Sequence, residues 1–185
     1  MLSDYERIAN SYVTHILVAV NARDRAAPFR DFVDNWYAFK AIDGHLLTKA
    51  DRPRWFNNPN AAILGDALTA MHFKSSNASE ILALARDNRT EYEDRRAKKD
   101  VSVRLMVDHA VPLLVLKDIL FARDAKHTEE TIHAVLCQRY RLGVITADED
   151  KRLNQAGLQS KMPSNWNGDD VFARYQQVGI EAVKP

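Results

Sequence analysis

Residues 101–121 read VSVRLMVDHAVPLLVLKDILF, the most apolar run of the chain. Only Ser102, Arg104, Asp108, His109, Lys117 and Asp118 in it are polar. Wound as a helix, the run scatters them around the whole circumference, and a helix that is apolar on nearly all sides is buried with neighbours on several faces. Extended, Val101, Val103, Leu105 and Val107 alternate with Ser102, Arg104 and Met106 at period two. The helix is preferred, because the rest of the chain offers few partner strands and a lone strand is unstable. Pro112 would kink it. Proline has no N–H, frees the carbonyl of Asp108 and costs a helix interior about 3 kcal/mol. Asp108, His109, Lys117 and Asp118 exclude a membrane span, where all would sit in hydrocarbon.

The expected architecture is therefore mainly α. It is a single domain over residues 1–185, a helical bundle of about six to eight helices around a buried central helix at 101–121, kinked at Pro112. A chain of 185 residues is long enough to bury a sizeable core. Hydrophobic and charged fractions of 46% and 28% are ordinary for a globular protein. A formal net charge of +1 creates no global field for nucleic acid or anionic membrane, so either would need a local patch. Cys137 is the only cysteine, which excludes an intramolecular disulfide and a cysteine-rich zinc site. The opening MLSDYERIAN is charged and has no signal-peptide pattern, so a cytoplasmic location is expected.

Working outward from the centre, Thr128 is placed to cap a helix, and Thr146 with Glu149 forms a capping box. Gly143 between them reads as a C-cap, which makes residues 128–154 a helix–turn–helix hairpin. Its second helix begins ADED, an acidic start that phosphates would repel, so the hairpin is read as structural. On the N-terminal side, Ser3 with Glu6 and Asn77 with Glu80 also read as capping boxes. Pro28 opens an aromatic helix carrying Phe29, Phe32, Trp36 and Tyr37. The mixed-charge run at 86–100 reads as a solvated helix face. In the tail, Trp166 anchors a loop, and a last short helix buries Phe172 and Tyr175 before Gly179 stops it.

The segment Arg104-Leu-Met-Val-Asp-His109 is similar to the R-x4-6-H pattern of HEPN-type ribonucleases. That resemblance implies a small helical, usually dimeric domain in which Arg104 and His109 act on a scissile phosphate without a metal. The family usually has a polar residue after its arginine, and here Leu105 stands there. The structural reading of the same residues pairs Arg104 with Asp108 at i,i+4 and leaves His109 as a hydrogen-bonded core histidine.

Lys49, Arg52 and Arg54 lie beside Trp55 and Phe56, a pattern that can hold phosphates and stack the bases of a single strand. The alternative is a surface connection pinned by its aromatics. Glu130-Thr-Ile-His133 has the E-x-x-H spacing of di-iron bundles but no second copy elsewhere. Cys137 reads as inert packing. There is no Gly-rich phosphate loop, G-x-S-x-G or H-E-x-x-H. The leading expectation is a regulatory or interaction protein with an unknown protein partner, and no cofactor or metal. The alternatives are a ribonuclease using Arg104 and His109 in a homodimer groove, and a single-strand binder using Lys49, Arg52, Arg54 and Trp55.

Overall fold

The computed structural model describes residues 2–50, 66–123 and 126–183. Its first elements are helices α1 (Asp4–Asn21) and α2 (Phe29–Asp43), then a 3-10 turn at Asp66–Ala70. Strand β1 (Phe73–Ser75) leads into α3 (Ser76–Asp87) and α4 (Arg89–Ala97). A 3-10 turn at Val101–Val103 precedes β2 (Leu105–His109) and α5 (Leu113–Leu120). The chain continues through α6 (Glu129–Arg139), β3 (Leu142–Thr146), α7 (Ala147–Gln155), α8 (Ala173–Gln177) and β4 (Ala182–Val183). The fold is mainly helical, with a small sheet of strand order β2-β3-β1-β4. Among the described residues no helix is long and apolar enough to cross a membrane.

The expected central helix is not formed. Residues 101–121 divide into a 3-10 turn, a strand and a helix, and Pro112 is the N-cap of α5 rather than a kink. Proline's fixed φ suits a helix start, where its missing N–H has no partner to lose. The period-two reading of Leu105 to Val107 is the one realised. Its partner is β3, which pairs antiparallel with β2 from Leu105↔Thr146 to His109↔Leu142. That partner segment contains Gly143, read above as a helix stop, so the expected hairpin at 128–154 is also revised: a buried strand separates its two helices. Gly143 is in the strand because a Cβ there would lie 2.4 Å from the Phe73 ring.

Alternation along the strands divides the interior into two cores. Leu105 and Val107 of β2, with Leu142 and Val144 of β3, face the larger core, built with α1, α2, α5 and α6. Met106 and Ile145 face a smaller one formed with Phe73, Leu153, Leu158, Tyr175 and Ile180. All five residues of β3 are buried, as expected of a strand covered on both faces.

The parallel strands β1 and β3 each run directly into a helix. Ser75 caps α3, its hydroxyl accepting the Ala78 N–H at 3.0 Å. Asn77 does not cap it, because Ser75 already occupies that position. Thr146 and Glu149 form the expected reciprocal box on α7. Glu149 is 1% exposed, and it also ties the two junctions together. Its Oε2 accepts from the Ser75 hydroxyl at 2.6 Å and from the Thr146 N–H at 2.8 Å, while Oε1 accepts from the Asn77 amide at 3.0 Å. Two adjacent helix N-termini thus share one carboxylate, the charge their dipoles favour.

Candidate functional site

The opposite end of the sheet gathers the titratable aromatic side chains. His72 immediately precedes β1, Tyr140 and Arg141 precede β3, and His109 closes β2. The antiparallel register brings His109 level with Leu142. Helix α2 lies over this end and contributes Asp34 and Tyr37, which share one face at i,i+3.

Asp34 is the hub. Its Oδ1 lies 2.9 Å from His109 Nε2 and accepts from the Tyr140 hydroxyl at 2.8 Å. A carboxylate only accepts, so Nε2 of His109 carries a ring proton, and in the neutral ring it is Nδ1 that keeps the lone pair. His109 Nδ1 has no hydrogen-bond partner among the described residues. The Tyr140 ring packs edge-on against His109 at 5.2 Å between centroids. Burial, and then the Asp34 charge, push the Tyr140 hydroxyl well above its ordinary range, so it stays a donor.

His72 extends the cluster. Its ring lies 4.5 Å from that of Tyr37, and its Nδ1 accepts the Leu142 N–H at 3.1 Å. Burial first, and the positive field of Arg141 second, lower its pKa to about 4. A neutral His72 with Nδ1 occupied presents Nε2–H as a donor. Burial raises the Tyr37 hydroxyl to about 12, against a smaller opposing effect of Arg141. Tyr37 donates to the Ala70 carbonyl. Arg141 caps the end of α6 through the carbonyls of Cys137 and Tyr140, each at 2.8 Å. Trp36 Nε1 is buried beside these rings without a partner among the described residues.

Arg104 and His109 are not brought together. They stand at opposite ends of β2, about 16 Å apart along an extended chain. Their odd spacing also puts them on opposite faces. Asp108 does not pair with Arg104. It accepts from Arg174 and, at 2.8 Å, from the Tyr175 hydroxyl. Lys49 is exposed, while Arg52, Arg54 and Trp55 lie outside the described residues.

Glu130 and His133 line a shallow cleft between α1 and α6 with Glu6, Asn10 and Glu129. His133 lies 3.1 Å from Lys40 Nζ. Among the described residues no group of three or more His, Cys, Asp and Glu side chains is arranged to hold a metal. Cys137 is exposed and adjacent to His133, not packed in the core as expected.

Sequence reading missed Asp34, His72 and Tyr140 as partners of His109. Asp34 lies within an aromatic helix and His72 near a turn, and nothing local links either to residue 109. Compared with known proteins, the chain matches no family model, no curated protein and no solved structure.

Proposed function

We propose that the end of the sheet around His109 is an acid–base site that cleaves RNA, with His109 as the general base and Asp34 as its orienting carboxylate. The observation that carries this reading is the Asp34 bridge between His109 and Tyr140, which places the proton of a neutral His109 on Nε2 and makes Nδ1 the nitrogen that can accept one. RNA fits such a site because it supplies its own nucleophile. His109 Nδ1 takes the proton of the 2′-hydroxyl, the 2′-oxygen attacks phosphorus, and the 5′-oxygen leaves with a proton from solvent. The product is a 2′,3′-cyclic phosphate. The neutral Nε2–H of His72 and the Arg141 guanidinium would face the phosphate charge as it develops. This keeps His109 from the ribonuclease resemblance and gives the cation's role to Arg141 in place of Arg104.

The test is incubation of end-labelled single-stranded RNA with the full chain in chelator, with DNA of the same sequence as control. The expected result is RNA cleavage to cyclic phosphate ends and none of DNA. His109→Ala should lower the rate by about 100-fold or more, the usual contribution of a general base. Uncleaved RNA, or undiminished cleavage by a folded His109→Ala variant, would sink the reading.

A second reading is an interaction protein, favoured by large apolar side chains left in water: Val18 is 62% exposed and Leu114 49%. Light scattering on the purified chain, and capture of partners by wild type against Val18→Ser with Leu114→Ser, test it. A monomer whose captured partners ignore those substitutions would remove it.

A further inference from the structure

At the other end of β2 lies a cleft of about 290 Å³ between the end of α4 and the start of β2. Tyr92, Arg96, Lys99, Asp100, Val101, Arg104 and Leu105 line it. Its charge is lopsided. Asp100 is the only acid in the lining, and its carboxylate is already engaged. It accepts from the Ser102 N–H at 2.9 Å, the Ser102 hydroxyl at 2.6 Å and Arg95 Nε at 2.8 Å. Arg96 is shared with Glu93 at 3.3 Å. Lys99 and Arg104 make no side-chain hydrogen bond or ion pair among the described residues, and Arg104 also faces Asp150. Two cations without ion-pair partners therefore sit over an apolar wall of Leu105 and half-exposed Val101, with the buried Tyr92 ring beneath Arg96.

Lys99 is held there at a backbone cost. It ends α4 in a Schellman motif, with Lys99 N–H to Arg96 O at 2.9 Å and Asp100 N–H to Arg95 O at 3.0 Å. Its φ is 57°, a left-handed conformation that favours glycine. A glycine would close the same motif with less strain, but it would place no charge at the mouth of the cleft.

We infer that this cleft binds the phosphate of a mononucleotide-sized ligand. Lys99 and Arg104 take the phosphate, and Val101 and Leu105 take the apolar face of the attached body. The volume is at the small end of ligand pockets, which run from about 300 to 1,000 Å³, so it suits a single nucleotide better than a polymer. Charged donors supply the affinity, and binding weakens as salt screens them. This inference does not depend on the His109 reading.

The experiment is calorimetric titration of the full chain with adenosine monophosphate, inorganic phosphate and adenosine. Saturable binding of the monophosphate is expected, with weaker binding of phosphate and none of adenosine. Arg104→Ala and Lys99→Gly should each weaken it about tenfold, the loss of one charge-assisted contact. Lys99→Gly should at the same time raise the melting temperature, so its lost affinity cannot be assigned to unfolding. His109→Ala should bind as wild type does, which separates this cleft from the site at the other end of β2. No saturation, unchanged affinity in both cleft variants, phosphate binding as tight as the nucleotide, or loss on His109→Ala would each overturn the proposal.

Discussion

At Gly143 a single missing carbon decides whether the sheet closes. Its Cα faces the Phe73 ring, itself 1% exposed, and an added Cβ would lie 2.4 Å from that ring. Gly143→Ala should destabilise the chain by about 2–3 kcal/mol through overpacking, read as a lower urea midpoint with an unchanged slope. A cost near zero would mean that β1 and β3 can separate freely. His72 makes a second prediction at this scale. Its pKa is lowered to about 4 in the fold and returns to about 6.5 when the chain unfolds. Between those values the unfolded chain binds the extra proton, so stability is fully present above pH 6.5 and is lost as pH falls toward 4. The loss should be on the order of 3 kcal/mol. His72→Gln, which keeps an acceptor for the Leu142 N–H, should flatten that part of the stability curve in urea titrations at stepped pH.

Among the elements, the helix ends share one device. Helices α1, α2, α4, α7 and α8 are each followed by a residue of positive φ: Arg23, His45, Lys99, Gly157 and Gly179. The same hydrogen-bond pattern closes each of them. Arg23, His45 and Lys99 stand where glycine is easier, and the charge of Arg23 and of Lys99 partly offsets the strain by facing the negative end of the helix dipole. Substituting glycine at any of the three should raise stability by about 0.5–1 kcal/mol. Gly157→Ala should lower it by about 1 kcal/mol, through the backbone alone, since nothing lies within 4 Å of the added methyl. Thermal melts of the four variants check both signs.

Helix starts were legible for a related reason. Thr146 with Glu149, Ser3 and Thr128 act within one turn, so sequence neighbours reveal them. The strands were not legible. Residues 101–107 carried a period-two pattern, but the partner that stabilises it begins at Leu142, beyond two helices.

For the molecule as a whole, the same limit applied to the candidate site. His109 stood out in the sequence, yet its partner Asp34 lies 75 residues away. Arg174, fully buried, drew no notice in the sequence although it fastens α8 to the end of β2. Its guanidinium donates to Ala110 O at 2.8 Å, Leu158 O at 2.9 Å and His109 O at 2.6 Å, and it pairs with Asp108. Arg174→Met would leave those carbonyls and a half-buried carboxylate without their donor. A loss of about 3–5 kcal/mol is expected. Hydrogen exchange should show faster opening at both β2 and α8, and a local effect at α8 alone would mean that the tie does not join them.

The Glu149 carboxylate has a consequence in time. Ser75 leaves the ribosome 74 residues ahead of it. At roughly 5–20 residues per second, the first strand–helix junction waits about 4–15 seconds for its acceptor. During that interval β1 also lacks β3, and its edge is open to any neighbouring chain. A nascent chain halted before residue 149 should therefore associate with chaperones more than one halted well beyond it, and the rate of translation between these residues becomes part of how this protein avoids aggregation.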